Sequence, residues 1–239
     1  MANHYPEETI QSVAADGEWW EKSTDLALCR GRLIWAFVPL IESNPKTLQG
    51  VSRGADPGDH STATFRLAPL RAADARNRAS TAFPVAALPL ASGEVHGVFR
   101  TKRRPMIVLS EISPSVPRSQ QLGGRGWQTS AAVLAAPAYG IAKTPTRTGW
   151  PAGLIPFVQK AEYPQYMWDI FPNLGEPTGS IVRFDQVCPI GTGSQAYEPT
   201  ENVLSPVAMT IVEDWFQWFL TGLIPERSAL KAARDLLTE

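Results

Sequence analysis

Short apolar runs separated by proline, glycine and polar turns dominate the hydrophobic pattern. In residues 30–38, Leu33, Trp35 and Phe37 alternate with Ile34, Ala36 and Val38, so both faces of an extended segment are apolar. A run of that length predicts a strand buried on both sides. Met106, Ile107, Val108 and Leu109 predict a second short buried strand, led in by Arg104 and Pro105. After a polar loop at residues 113–126, residues 127–136 read as its neighbour, and residues 154–158 and 180–187 give further strands. Residues 41–93 are less regular. They hold a turn cluster (Asp56-Pro57-Gly58-Asp59), an alternating stretch at 63–67 and a polar patch at 71–78. Pro84 and Pro89 confine any strand at 83–90 to a sheet edge.

Helical signals lie at the two ends. Pro6, Glu7 and Glu8 make a first turn, and Asp16-Gly17 makes a break. Ser205-Pro206 is an N-cap followed by proline at the first helical position. Ile211, Val212, Trp215, Phe216 and Phe219 then share one face, and Gly222 is placed to end the helix. Pro225 opens a short charged helix to about Leu237. The expected organisation is a helical N-terminal extension at 1–28, a β-rich domain at 29–224 containing an insertion at 41–93, and a C-terminal helix at 225–239.

Composition narrows this picture only a little. The 239 residues are 44% hydrophobic and 19% charged with a formal net charge of -1, an ordinary globular balance. Near-neutrality does not bear on nucleic-acid binding, which depends on where basic residues cluster. The 18 glycines and 21 prolines favour short strands and loops over long helices. Cys29 and Cys188 are far apart and lack a CxxC partner, which argues against a disulfide framework or a structural zinc and for a reducing cytoplasm. No basic–apolar–small leader opens the chain. Its most apolar run, residues 131–142, is interrupted by Pro137 and too short to span a bilayer, so no membrane partner is expected.

Three segments carry a family resemblance. They are Gly31-Arg32-Leu33-Ile34-Trp35; Lys102-Arg103-Arg104-Pro105-Met106-Ile107-Val108-Leu109-Ser110; and Gly179-Ser180-Ile181-Val182-Arg183-Phe184-Asp185-Gln186. In this order they resemble strands of the PemK/MazF family of toxin–antitoxin endoribonucleases, and the aromatic helix stands where that family has one. The three segments make up well under half of the residues. The resemblance implies a β-rich, SH3-like small barrel (PemK/MazF/CcdB-like) with a C-terminal helix. It also implies metal-independent cleavage of single-stranded RNA to 2′,3′-cyclic phosphate and 5′-hydroxyl ends, no cofactor, an antitoxin partner and a homodimer. Strands at 31–38, 105–110, 128–136 and 180–187 are then expected in one strongly curved sheet, with the helix at 206–221 against it.

The resemblance also assigns roles. Arg183 and Asp185, two apart in an extended segment, point to one face. Asp185 is the implied base for the ribose 2′-hydroxyl, and Arg183 the implied aid to the departing 5′-oxygen. Because arginine keeps its proton, stabilising charge on phosphate oxygens suits Arg183 better than acid catalysis. A plain surface ion pair is the alternative. His96 lies where the PemK branch carries a loop histidine, and would hydrogen-bond a phosphate oxygen or relay a proton; a solvated loop histidine is the equal alternative. Arg104 matches the family arginine before proline. With Arg100, Lys102 and Arg103 it forms a basic run suited to an RNA backbone. Tyr139 stands at or beside the position of a MazF-branch threonine or serine, where it would donate a hydrogen bond or stack on a base. Neither the histidines nor the acidic residues have metal-ligand spacing. Two functions fit these residues: an endoribonuclease, or a module of the same fold that binds RNA or protein without cutting.

Overall fold

A computed structural model describes residues 5–14, 17–40, 44–52, 55–56, 62–71, 94–121, 129–145, 147–175 and 178–238. The expectations for residues 83–90, for Pro57 to Asp59, for the polar patch beyond residue 71 and for residues 122–126 of the polar loop lie outside them. The chain divides into two compact units, Met1–Val38 with Arg103–Glu239, and Pro39–Lys102.

The first unit is β-rich. Its strands are β1 (Trp20–Lys22), β2 (Arg32–Pro39), β6 (Thr101–Val108), β7 (Ala132–Gly140), β8 (Tyr166–Asp169), β9 (Ser180–Arg183), β10 (Cys188–Gly191) and β11 (Tyr197–Leu204). They pair in the order β1-β11-β2-β6-β7-β9-β8, with β10 also on β7, and the path does not close on itself. The four strands expected from the sequence are therefore neighbours in one antiparallel sheet, β2-β6-β7-β9.

Burial on both faces follows from the alternation already visible in β2. Leu33 packs in one cluster with Ile107, Ala136, Val182 and Phe184, beneath helix α3 (Pro206–Thr221). Ile34, Ala36 and Val38 pack in another with Met106, Val108, Val133 and Ala135. Helix α3 has the bounds that its punctuation dictates. The Ser205 hydroxyl accepts from the Ala208 N–H, Pro206 opens the first turn, and Gly222 closes the helix at φ 76°.

Two expected strands are different. Residues 154–158 are helical: a 3₁₀ turn at Ala152–Leu154 runs into helix α2 (Ile155–Gln159). Pro156 explains the difference, since it has no N–H for a ladder and its φ suits a first helical turn. Residues 180–187 break after Arg183 into a 3₁₀ turn, Phe184–Gln186. That turn lets β9 and β10 follow each other along β7, pairing with residues 138–140 and 132–135 respectively.

Helix α1 (Ile10–Ala14) and β1 bind the N-terminal residues to this unit. Asp169, at the end of β8, is wholly buried. Tyr5 donates to its Oδ1 at 2.8 Å, and the Trp19 and Trp20 indoles donate to Oδ2 at 3.2 and 3.1 Å. Loss of water pushes its carboxyl up to about 7, against the opposing pull of these donors. A last helix, α4 (Ala229–Thr238), follows.

The second unit is a small antiparallel sheet of β3 (Lys46–Ser52), β4 (Thr64–Pro69) and β5 (Gly97–Val98), in the order β4-β3-β5. Its ends are adjacent, for the Leu40 N–H donates to the Arg100 carbonyl at 2.7 Å. Among the described residues no helix is long and apolar enough to cross a membrane.

Candidate functional site

Strand alternation selects one face of the sheet as the place where the predicted residues meet. Met106 and Val108 enter the cluster beneath that face, so Arg104 lies on the same side of β6. Tyr139 shares a face of β7 with Val133 and Ala135. Both are half-buried, and the Arg104 guanidinium sits 3.8 Å from the centre of the Tyr139 ring. From β9, the Arg183 guanidinium lies 5.8 Å from the same ring.

Arg183 and Asp185 come together, but not as partners on one strand face. Asp185 belongs to the 3₁₀ turn, and that turn folds its carboxylate back onto the guanidinium. Arg183 donates through Nε to Oδ1 at 2.7 Å and through Nη2 to Oδ2 at 2.5 Å, a fork-to-fork pair. This contact holds the Arg183 guanidinium above its usual range, with burial opposing. The next residue in the turn, Gln186, accepts through Oε1 from the Tyr139 hydroxyl.

The Arg104 guanidinium is shifted down, first by desolvation; the Tyr139 oxygen opposes this and the positive Arg147 adds to it. Its Nε is buried without a hydrogen-bond partner. The Tyr139 phenol is pushed up by burial, so it keeps its proton near neutral pH.

Sequence reasoning missed three neighbours. Tyr166 faces Arg183 across the β8–β9 pair, and its ring centre is 5.2 Å from that guanidinium. Trp150 is 5.9 Å away from the guanidinium and meets Tyr166 edge-to-face at 5.4 Å. Arg147 lies in the loop before Trp150 and donates to the Ala142 carbonyl at 2.7 Å. Gly149 makes that loop possible: at φ 75° an added Cβ would lie 2.8 Å from the Lys143 nitrogen. None of the three stands in a family-like segment; the β8–β9 pairing brings Tyr166 to the site, and the loop after β7 brings Arg147 and Trp150.

The remaining predicted residues lie elsewhere. Arg103 takes the opposite face of β6, 4.5 Å above the Trp35 ring and ion-paired with Glu198. Lys102 and His96 belong to the second unit, where Lys102 is exposed and the His96 carbonyl accepts from the Thr47 hydroxyl at 2.9 Å. Among the described residues, no three His, Cys, Asp or Glu side chains are grouped to hold a metal ion. No family model matches the chain, and neither a curated protein nor a solved structure matches it.

The cluster thus offers guanidinium groups for phosphate, aromatic rings for bases, a carboxylate able to take a proton and a phenol able to give one.

Proposed function

We propose that this chain is an endoribonuclease of the PemK/MazF type, which binds single-stranded RNA over the Arg104–Tyr139–Arg183 surface and cuts it there. One observation carries the proposal. Arg104, Tyr139, Arg183 and Asp185, singled out by resemblance from separate parts of the chain, form one contiguous cluster. An SH3-like barrel, a homodimer, an antitoxin partner and a cytoplasmic setting belong to the same proposal.

In this reading a phosphate displaces Asp185 from the Arg183 fork, because both oxyanions compete for the same guanidinium. The freed carboxylate takes the 2′-hydroxyl proton, and the 2′-oxygen attacks phosphorus as the bond to the 5′-oxygen breaks. Arg104 and Arg183 stabilise charge on the phosphoryl oxygens. The Tyr139 phenol, still protonated near neutral pH, gives its proton to the departing 5′-oxygen.

A second reading, binding without cleavage, draws on one observation. Both Asp185 oxygens are engaged by the Arg183 fork, which keeps the carboxylate on the guanidinium rather than on a substrate hydroxyl. The two readings separate when the chain is incubated in EDTA with a long single-stranded RNA and with DNA of the same sequence. Cutting of RNA alone, leaving 2′,3′-cyclic phosphate ends, supports the enzyme. Tight binding of uncut RNA supports the module, and failure to bind any RNA removes the enzyme and leaves only a protein-binding module.

A further inference from the structure

On the opposite face of β6 from the candidate site lies a second aromatic feature. Along β2, Leu33 is fully buried under α3, Trp35 is half-buried, and Phe37 is 66% exposed, all on one face. That face emerges from beneath the helix into a groove of about 410 Å³. Trp35, Phe37 and Arg103 form part of its lining, and Gln195, Tyr197 and Glu198 another part. The Arg103 guanidinium lies 4.5 Å from the centre of the Trp35 ring and pairs with Glu198.

We propose that this groove holds one base of a single-stranded RNA. This inference rests on the RNA reading of the Tyr139 surface, which it extends to a second subsite. The chemistry selects a base over a phosphate. The exposed Phe37 ring suits a planar group, and the Arg103–Glu198 pair leaves the groove without a net charge to draw a phosphate. Phe37 supplies an exposed stacking face, and the Gln195 amide and Glu198 carboxylate supply a donor and acceptors for a base edge. Arg103 and Arg104 are consecutive in β6, each beside an aromatic ring, so the two aromatic features stand back to back across one strand.

The test measures affinity of the full chain for a fluorescent 12-nucleotide single-stranded RNA with 2′-O-methyl sugars, which cannot be cut. Phe37→Ala, at an exposed position, is expected to weaken binding by roughly 5- to 150-fold, the effect of one stacked base, and Phe37→Trp to restore it. In an abasic scan of the same strand, the wild type loses a similar factor at one position, where Phe37→Ala loses nothing more. If Phe37→Ala binds as tightly as wild type while Tyr139→Ala binds weakly, the groove is off the RNA path and only this inference fails. If the wild type does not bind the strand, the RNA reading fails as well. A change of oligomeric state in Phe37→Ala with unaltered RNA affinity would make the groove a protein contact and overturn the inference.

Discussion

Asp169 makes the sharpest residue-scale prediction. Its carboxyl titrates near 7 in the folded chain and near 3.8 when unfolded. Between those values the folded state holds a proton that the unfolded state has released. Its contribution to stability is therefore full below about pH 4 and is lost as pH rises through 7, by about 4 kcal/mol between the limits. When protonated, its hydroxyl donates to Tyr5, which becomes an acceptor, while the other oxygen still accepts from both indoles. Asp169→Asn mimics that arrangement and should flatten the fall in melting temperature from pH 4 to 8; parallel curves for the two proteins would contradict this. Arg104 gives a second prediction. Arg104→Ala removes the cation over the Tyr139 ring, so under the proposed function it should raise Kd for single-stranded RNA and lower the cleavage rate together. An effect on neither quantity would take Arg104 out of the site.

At the scale of elements, the turn before β9 decides where Arg183 sits. Gly179 has φ 85°, and an added Cβ would lie 2.5 Å from Trp168 Nε1 and 2.9 Å from the Asp169 carbonyl oxygen. Gly179→Ala should cost about 2 kcal/mol or more in denaturant unfolding and, by displacing β9, reduce cleavage; an unchanged midpoint would show that the strand accommodates the methyl group. The legible elements were those with unambiguous local chemistry. Helix α3 carries Ser-Pro at its start and glycine at its end, and β2 is apolar on both faces. Residues 154–158 were misread because a five-residue apolar run fits either a strand or a helix, and only Pro156 hints at the latter. The break after Arg183 has no glycine or proline to announce it. Strand β11 is polar, contains Pro199 and shifts register between Pro199 and Val203, so no strand alternation is visible in it. About half of the candidate site was legible, through the family resemblance. Arg104, Arg183, Asp185 and Tyr139 sit in or near recognisable strands, whereas Arg147, Trp150 and Tyr166 reach it through a loop and a strand pairing that local sequence does not encode.

For the molecule as a whole, the division into two units makes a direct prediction. The main-chain bond from Leu40 to Arg100 brings the ends of the second unit together. Replacing residues 41–99 by a short turn should therefore leave a chain that unfolds in one cooperative transition; a broad, non-cooperative melt would show that those residues complete the core. The central claim, that the Arg104–Tyr139–Arg183–Asp185 cluster cuts RNA, is tested most directly by single-turnover cleavage of a single-stranded RNA in EDTA. Wild type and Asp185→Asn would be compared at saturating protein. The variant keeps the size of the side chain and loses the base, so its rate should fall by about 10²–10⁴-fold while the RNA stays bound. Equal rates for the two proteins, or no cutting by either, would contradict the claim.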